Sequence, residues 1–240
     1  MNKFSGTGVA LITPFNNDKS IDFNSLEKLV EFVINGGVDF LVVLGTTGET
    51  TSLNDKEQND VINCIKKTNN SRLPMILGIG GNNTSNVLEK IISTDLSFFE
   101  AILSVTPYYN KPTQEGLYQH YKAISSVSPI PIILYNVPSR TSVNLSAETT
   151  LRLANDFSNI VAIKEASGDL DQIKNILQNK SSNFYVLSGD DGLTYEMIKN
   201  GASGVISVIG QSHPKEFSSM VRLSLKKNFE KAEIIHNKLF

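Results

Sequence analysis

Residues 160–168 read IVAIKEASG, a short apolar run with β-branched residues that is bounded by small and polar ones. This pattern predicts a buried β-strand with Lys164 near its C-terminal end. Lysine is rarely buried without a partner, and burial lowers the pKa of its amine, so that a neutral nucleophile exists near neutral pH. Such an amine can form a Schiff base with a carbonyl substrate. The alternative is a strand-end lysine whose amine reaches water.

Seven similar apolar runs occur along the chain, and each is followed by a helical pattern. They cover residues 9–15, 40–44, 75–79, 101–106, 131–136, 184–190 and 204–209. Eight strands that each precede a helix predict an α/β fold of the (β/α)8 type, the TIM barrel. A doubly wound sheet is the alternative, although it usually has fewer units. The chain has neither a Gly-x-Gly-x-x-Gly fingerprint after the first run nor a P-loop.

No linker, charge block or low-complexity tract divides the chain. Residues 1–225 are therefore predicted to form one barrel, and residues 226–240 the start of a C-terminal helical extension. Asp22 and Asn54 each precede a helical pattern of apolar residues, so they are predicted to cap the first two helices.

The composition is that of an ordinary globular protein, with 40% hydrophobic and 19% charged residues and a net charge of −2. This balance gives no basic surface for nucleic acid or anionic lipid. No apolar run reaches the roughly 18 residues that span a bilayer, and residues 1–6 lack the apolar core of a signal peptide. Cys64 is the single cysteine and is predicted to be a small core residue. We therefore expect a cytoplasmic protein without nucleic-acid or membrane partners.

Candidate site residues lie at or just after the C-terminal ends of the predicted strands, where (β/α)8 barrels carry their active sites. They are Thr46, Thr47, Tyr108, Tyr109, Tyr135, Arg140, Lys164, Gly189, Asp190, Asp191 and, within the last strand, Ile206. Tyrosine and threonine hydroxyls can pass the protons that Schiff-base chemistry requires. The glycine-flanked Thr46–Thr47 loop offers N–H groups to a small carboxylate, and Arg140 suits a second one.

Each of these residues also has an ordinary structural interpretation. Tyr108 and Tyr109 could be a packed aromatic pair, Arg140 a surface ion-pair residue, and residues 45–49 a simple turn. No histidine or third carboxylate accompanies the Asp190–Asp191 pair, so we expect no metal and predict that Asp191 caps the following helix. Their joint occurrence at strand ends favours the functional interpretation.

Four segments together resemble the 4-hydroxy-tetrahydrodipicolinate synthase family, also called dihydrodipicolinate synthase. They are 45–49 (GTTGE), 105–112 (VTPYYNKP), 135–141 (YNVPSRT) and 163–166 (IKEA). The lysine strand is shared by the wider class I pyruvate-aldolase superfamily, whereas YNVPSR points to this member. The resemblance runs along nearly the whole chain and implies a lyase of diaminopimelate and lysine biosynthesis. Its substrates would be pyruvate and L-aspartate 4-semialdehyde, with no metal or organic cofactor.

The resemblance also implies a role for each site residue. Lys164 would condense with pyruvate and Tyr135 would exchange protons there, with Thr46 and Tyr109 completing a proton relay. The substrate-binding residues would be Thr47 at the pyruvate carboxylate, Ile206 at the opposite wall, Gly189 beside them, and Arg140 at the semialdehyde carboxylate. The family forms homodimers or homotetramers, and Tyr109 would be shared across the tight-dimer interface.

The match has two departures. The family normally continues beyond residue 240 with further helices that help tetramers assemble, so we expect either a truncated or a naturally short member. In lysine-sensitive members the inhibitor site lies near the helix after strand two and the loop after strand three. Tyr108 and Asn82 fit that site, but Asp55 and Gln58 replace frequent histidines and Asn86 replaces a frequent glutamate. We therefore expect weak or absent inhibition by lysine.

Two classes of alternative function stay open. One is a sister pyruvate-dependent aldolase, of the N-acetylneuraminate lyase or 2-keto-3-deoxy-sugar-acid aldolase type. The other is a catalytically silent barrel used for binding. Arg140 favours the synthase, because the short semialdehyde carries a carboxylate close to its carbonyl group.

Overall fold

The computed structural model describes residues 4–240 and contains a closed barrel of eight parallel strands. The strands pair in chain order, and the last pairs with the first. They are β1 (Gly6–Ala10), β2 (Phe40–Val43), β3 (Met75–Gly78), β4 (Ala101–Val105), β5 (Ile132–Asn136), β6 (Ile160–Glu165), β7 (Tyr185–Ser188) and β8 (Gly204–Ser207). The predicted (β/α)8 barrel is therefore confirmed.

Helices connect the strands on the outside of the barrel. They are α1 (Phe23–Asn35), α2 (Asp55–Asn69), α3 (Thr84–Ser93), α4 (Gln114–Val127), α5 (Pro138–Thr141), α6 (Ala147–Asp156), α7 (Leu170–Asn179), α8 (Thr194–Lys199), α9 (Pro214–Leu225) and α10 (Phe229–Leu239). Both predicted caps are confirmed. Asp22 accepts a hydrogen bond from the Ser25 N–H, and Asn54 forms a reciprocal capping box with Glu57. Such caps satisfy N–H groups that the first helical turn leaves free.

The first strand begins earlier than its apolar pattern predicts. The sequence indicates a strand over 9–15, whereas β1 covers Gly6–Ala10. The difference arises because Gly8 faces the Phe40 ring so closely that an added Cβ would lie 2.0 Å from it. A glycine required by close packing carries no hydrophobic signal, so the periodicity misses this part of the strand.

Alternation along the strands produces two apolar layers. One fills the barrel and includes Phe40, Tyr135, Ala162 and Ile206, and the other lies between strands and helices. Burial on both faces explains why the strands read as nearly continuous apolar runs. Because side chains two residues apart share a face, Lys164 lies on the same face of β6 as Ala162.

The last helix packs against its neighbours rather than extending away. α10 lies on α8 and α9, and Ala232 is fully buried there. Tyr195 of α8 stacks on His236 at 5.4 Å between ring centroids and meets Phe229 edge-on at 6.4 Å. The division into residues 1–225 and 226–240 stays a prediction. Within residues 4–240, no helix combines the length and apolar character that crossing a bilayer requires.

Cys64 is not a full core residue as predicted. It lies on α2 and is only partly buried, packed against the edge of the outer apolar layer. The apolar pattern places Cys64 on the buried face of α2, but it does not distinguish the edge of that face from its centre.

Candidate active site

Lys164 lies near the C-terminal end of β6, and only 4% of it is exposed. It is aligned with Tyr135 on β5 and with Leu187 on β7. Burial lowers the pKa of its amine, the negative charge of Asp191 raises it and the positive charge of Arg140 lowers it, and the net result is a pKa of about 8. A substantial fraction of the amine is therefore neutral just above neutral pH, as a nucleophile requires.

Tyr135 is the nearest aromatic partner of this amine. The Lys164 Nζ lies 4.3 Å from the centroid of the Tyr135 ring. Burial raises the pKa of the Tyr135 hydroxyl, whereas a hydrogen bond with Thr46 and the charge of Arg140 act in the opposite direction. The phenol is protonated at neutral pH, so it can donate a proton and then recover one through its Thr46 contact.

A cavity of about 320 Å³ opens at the C-terminal ends of β2 to β5. Its lining includes Thr46, Tyr108, Tyr135 and Arg140 among the predicted site residues. Thr47, Tyr109, Lys164, Gly189 and Ile206 do not line it. Lys164 is connected to the cavity through the Tyr135 ring, which contributes to the wall.

Gly189 lies beside Lys164 instead, and Ile206 lies in the apolar layer inside the barrel. The Gly189 N–H donates to the Glu165 carbonyl oxygen at 2.7 Å. An added Cβ at residue 189 would lie 3.0 Å from Lys164 Cε and 2.7 Å from the Ala166 Cβ. Gly189 thus gives the backbone room to pass beside the lysine, and Ile206 is buried in the layer inside the barrel.

Arg140 lies on the four-residue helix α5, exposed at the cavity. Its guanidinium forms no ion pair or hydrogen bond with any residue between 4 and 240. An unpaired guanidinium can donate two parallel hydrogen bonds to the carboxylate of a ligand. The alternative interpretation as a surface ion-pair residue has no partner in this part of the chain.

Adjacent tyrosines after β4 face different surroundings. Tyr108 lines the cavity, whereas Tyr109 is 87% exposed and has a φ of +72°. Asn110 fixes this loop, because its N–H donates to the Tyr108 carbonyl oxygen and its side-chain amide to that of Asn82, both at 2.9 Å. Tyr109 therefore does not contribute to the cavity of its own chain.

The predicted role of Asp191 as the cap of the next helix is wrong. α8 begins at Thr194 without a side-chain cap. Asp191 Oδ2 instead accepts hydrogen bonds from the N–H groups of Val208 at 3.0 Å and Ile209 at 2.8 Å. The backbone turns between β7 and α8 and directs this side chain toward the loop after β8, a contact that local sequence spacing does not encode.

A buried carboxylate directly after the lysine was not predicted from the sequence. Glu165 is fully buried and accepts hydrogen bonds from the Ser167 N–H at 2.7 Å, Asn136 Nδ2 at 3.1 Å and Gln172 Nε2 at 3.2 Å. Asn136 in turn accepts from the Leu145 N–H at 2.9 Å. The network joins β5, β6, α7 and the chain after α5, so it fixes the strand end that carries Lys164. Side chains alternate between the two faces of a strand, so Glu165 lies on the opposite face of β6 from Lys164. This alternation is the sequence signal that could have located Glu165.

Lys90 of α3 is a cation at the cavity that was not predicted from the sequence. Its ammonium donates a hydrogen bond to Gln58 Oε1 and lies 4.0 Å from the Asp55 carboxylate. Elsewhere, the described part of the chain contains no group of three His, Cys, Asp or Glu side chains arranged to hold a metal ion.

Comparisons by sequence and by structure identify the same family. The model of the dihydrodipicolinate synthetase family matches residues 3–240. The 4-hydroxy-tetrahydrodipicolinate synthase of Flavobacterium psychrophilum is 56% identical over 239 residues, which span 100% of this chain and 82% of that protein. The chloride-inhibited dihydrodipicolinate synthase of Acinetobacter baumannii, solved with pyruvate, is 44% identical with a TM-score of 0.94, covering 98% of this chain and 80% of that one. A monomeric dihydrodipicolinate synthase variant is 41% identical with a TM-score of 0.95, and the match covers 99% of this chain and 80% of that one.

The fold and these relatives define a TIM-barrel lyase. The matched range runs from the first strand to α10 and covers each of the four segments that carry the resemblance. The chain belongs to the dihydrodipicolinate synthetase family, which confirms the resemblance found in the sequence.

Proposed function

We propose that this chain condenses pyruvate with L-aspartate 4-semialdehyde to 4-hydroxy-tetrahydrodipicolinate, with Lys164 as the Schiff-base residue. The observation that carries the proposal is the buried Lys164 amine, with a pKa near 8, beside the Tyr135 phenol at the C-terminal end of the barrel. The relatives named for this synthase support the choice of reaction. The Acinetobacter baumannii neighbour, solved with pyruvate, supports the first substrate.

The first half-reaction joins pyruvate to the enzyme. The Lys164 Nζ attacks the C2 carbonyl carbon, a C–N bond forms, and the carbonyl oxygen takes up a proton to give a carbinolamine. Loss of that hydroxyl as water leaves an iminium ion, and loss of a C3 proton then gives the enamine. Tyr135 donates and accepts these protons, and Thr46, its hydrogen-bond partner, passes them toward Tyr109. Thr47 and its backbone hold the pyruvate carboxylate, with Ile206 and Gly189 forming the opposite wall.

The second half-reaction forms the new C–C bond. The enamine C3 attacks the aldehyde carbon of the semialdehyde, whose oxygen takes up a proton. The amine of the semialdehyde then attacks C2, and the bond from C2 to Lys164 breaks, which closes the heterocycle and frees the lysine. Arg140, whose guanidinium has no carboxylate partner among residues 4–240, binds the semialdehyde carboxylate.

The proposal includes a homodimer or homotetramer in the cytoplasm in which Tyr109 enters the neighbouring subunit's site. Its 87% exposure supports this assignment, because a large aromatic side chain beside Pro107 leaves apolar surface for a partner. One structural relative is a monomeric variant of the synthase, so assembly must be measured directly, by sedimentation.

Incubation with pyruvate and borohydride tests the proposal. The expected product is one reduced adduct, with the mass of pyruvate minus one water plus two hydrogens, on the peptide that contains Lys164. Lys164→Ala should abolish it. Lys180→Ala is the matched control, since Lys180 is another lysine whose pKa burial lowers, and it should leave trapping intact. An unchanged adduct on Lys164→Ala would refute the assigned chemistry.

A further inference from the structure

Asp191 occupies an unusual position next to the lysine strand. One carboxylate oxygen, Oδ2, accepts two backbone hydrogen bonds from the loop after β8. The other oxygen, Oδ1, is buried and has no hydrogen-bond donor within residues 4–240. A buried carboxylate oxygen without a donor is costly unless a cation lies nearby. The orientation of this side chain therefore requires a reason beyond fixing the loop.

The Lys164 amine is the cation whose charge interacts with that of Asp191. Gly189, two residues before Asp191, passes close enough to Lys164 that an added Cβ would touch its Cε. The titratable or charged groups that act on the amine are Tyr135 from β5, Arg140 from α5 and Asp191 from the chain after β7. Of these three, only Asp191 is a carboxylate, and its charge raises the pKa of Lys164 while that of Arg140 lowers it.

Schiff-base chemistry makes a counter-ion necessary at this point. A neutral lysine amine becomes a cation when it forms the iminium ion, and the surrounding barrel interior is apolar. Charge buried in such surroundings is stabilised by a fixed opposite charge more strongly than in water. The two N–H donors on Oδ2 hold the Asp191 carboxylate in place before the reaction, so it does not have to reorganise when the charge forms.

We propose that Asp191 is the counter-ion of the Lys164 iminium, a positioning residue that fixes the β8 loop through Oδ2 and stabilises the cation through Oδ1. This inference rests on the Schiff-base function proposed for Lys164. It assigns two separable roles to one side chain. The hydrogen-bonding role needs only an oxygen acceptor, whereas the counter-ion role needs the negative charge.

Asp191→Asn separates the two roles, because an amide oxygen can still accept both backbone hydrogen bonds. The measurement is the amount of pyruvate trapped on Lys164 by borohydride, as a function of pH and pyruvate concentration. Loss of the charge should lower the pH midpoint of trapping by about one unit and raise the half-saturating pyruvate concentration several-fold. Asp191→Glu keeps the charge, so its pH midpoint and its half-saturating pyruvate concentration should be closer to those of the unmodified protein.

The matched control is Asp190→Asn. Asp190 is the adjacent carboxylate, is exposed, and accepts a hydrogen bond from the Leu193 N–H at 3.2 Å. Its removal should leave both the midpoint and the half-saturating concentration unchanged. If Asp191→Asn does not fold, Asp191→Ser supplies an uncharged oxygen acceptor in its place.

The outcomes distinguish this inference from the proposed function. If the neutral variant at 191 traps pyruvate with an unchanged midpoint and half-saturation, Asp191 has only a structural role and the counter-ion assignment is overturned. If the unmodified protein itself forms no adduct at Lys164, the Schiff-base function fails instead. A shift that occurs equally in Asp190→Asn would also contradict the assignment, since it would reflect general surface charge.

Discussion

Lys164 and Tyr135 are aligned residues on neighbouring parallel strands, and the lysine amine lies 4.3 Å from the centroid of the tyrosine ring. The strand register brings both residues to the same end of the barrel. The π-face of the ring attracts a cation weakly, but the burial that accompanies this contact acts more strongly and lowers the pKa of the amine. The pair thus combines a nucleophile that is partly neutral with an acid that stays protonated.

Lys164→Met is expected to stabilise the folded protein at neutral pH. The folded-state pKa is about 8, below the ordinary value of 10.5, so folding disfavours the charged amine. This cost is fully present below pH 8 and disappears as the pH rises above 10.5. Methionine has a similar length without the charge, so the free energy of unfolding at pH 7 should rise by on the order of 3 kcal/mol.

Urea denaturation at pH 7 and pH 9.5 provides the measurement. The increase in the free energy of unfolding should be smaller at pH 9.5, because the Lys164 amine of the unmodified protein is then mostly neutral in the folded state. Lys231→Met is the control, since Lys231 is exposed, and it should change the stability by less than about 0.5 kcal/mol. A gain that is the same at both pH values would show that packing, not charge, is its source.

Arg140→Ala is expected to impair use of the semialdehyde far more than formation of the pyruvate adduct. Loss of one charge-assisted contact to a carboxylate costs about 1.5–3 kcal/mol, roughly a 10- to 150-fold loss in kcat/KM for that substrate. Because Arg140 lowers the pKa of Lys164, its removal should also move the pH midpoint of pyruvate trapping upward.

Steady-state kinetics with each substrate varied, together with borohydride trapping, measure these effects. Arg152→Ala is the matched control, because Arg152 already pairs with Glu115 at 2.8 Å. It should leave both half-reactions unaffected. Equal losses in the two half-reactions of Arg140→Ala would contradict the role proposed for it.

Lysine is expected to inhibit weakly or not at all, and Lys90 supplies a structural reason. Its ammonium is hydrogen-bonded to Gln58 Oε1 and lies 4.0 Å from the Asp55 carboxylate. Both acceptors lie where the family resemblance places an inhibitor site, beside Tyr108. A cationic effector therefore meets acceptors that an internal ammonium already engages.

Lys90→Ala should lower the lysine concentration for half-inhibition several-fold. The control is Lys56→Ala, since Lys56 pairs with Asp60 at 2.9 Å and is highly exposed. Initial rates at increasing lysine concentration provide the measurement. Half-inhibition of the unmodified protein at micromolar lysine, or no change in Lys90→Ala, would show that Lys90 does not restrict this site.

The contacts that the sequence predicts and those that it misses differ in how far apart the partners lie along the chain. Helix caps such as Asp22 and Asn54 act over three residues, so local spacing identifies them. The barrel fold then brings Thr46, Tyr135 and Arg140 to one cavity without further information. The partners of Asp191 and Lys90 lie on separate elements whose loop geometry determines the contact, and no local pattern encodes that geometry.

Exchange of Tyr109 between subunits is the prediction that tests assembly and catalysis together. Tyr109 is 87% exposed and does not line the cavity of its own chain, whereas the adjacent Tyr108 does. A positive φ at Tyr109 holds the two side chains in different directions. In a two-fold dimer the same surface meets itself, so each Tyr109 can complete the other subunit's site.

The experiment mixes Tyr109→Phe with Lys164→Ala after dissociation and reassociation. If Tyr109 acts across the interface, each mixed dimer contains one site with both native residues and one with both lesions, so activity recovers. A parallel mixture of Tyr135→Phe with Lys164→Ala is the control, because both residues belong to one subunit's site and no mixed dimer contains a whole one. Mass spectrometry verifies that mixed dimers form. If they form and the first mixture is no more active than the second, Tyr109 does not act in the partner's site.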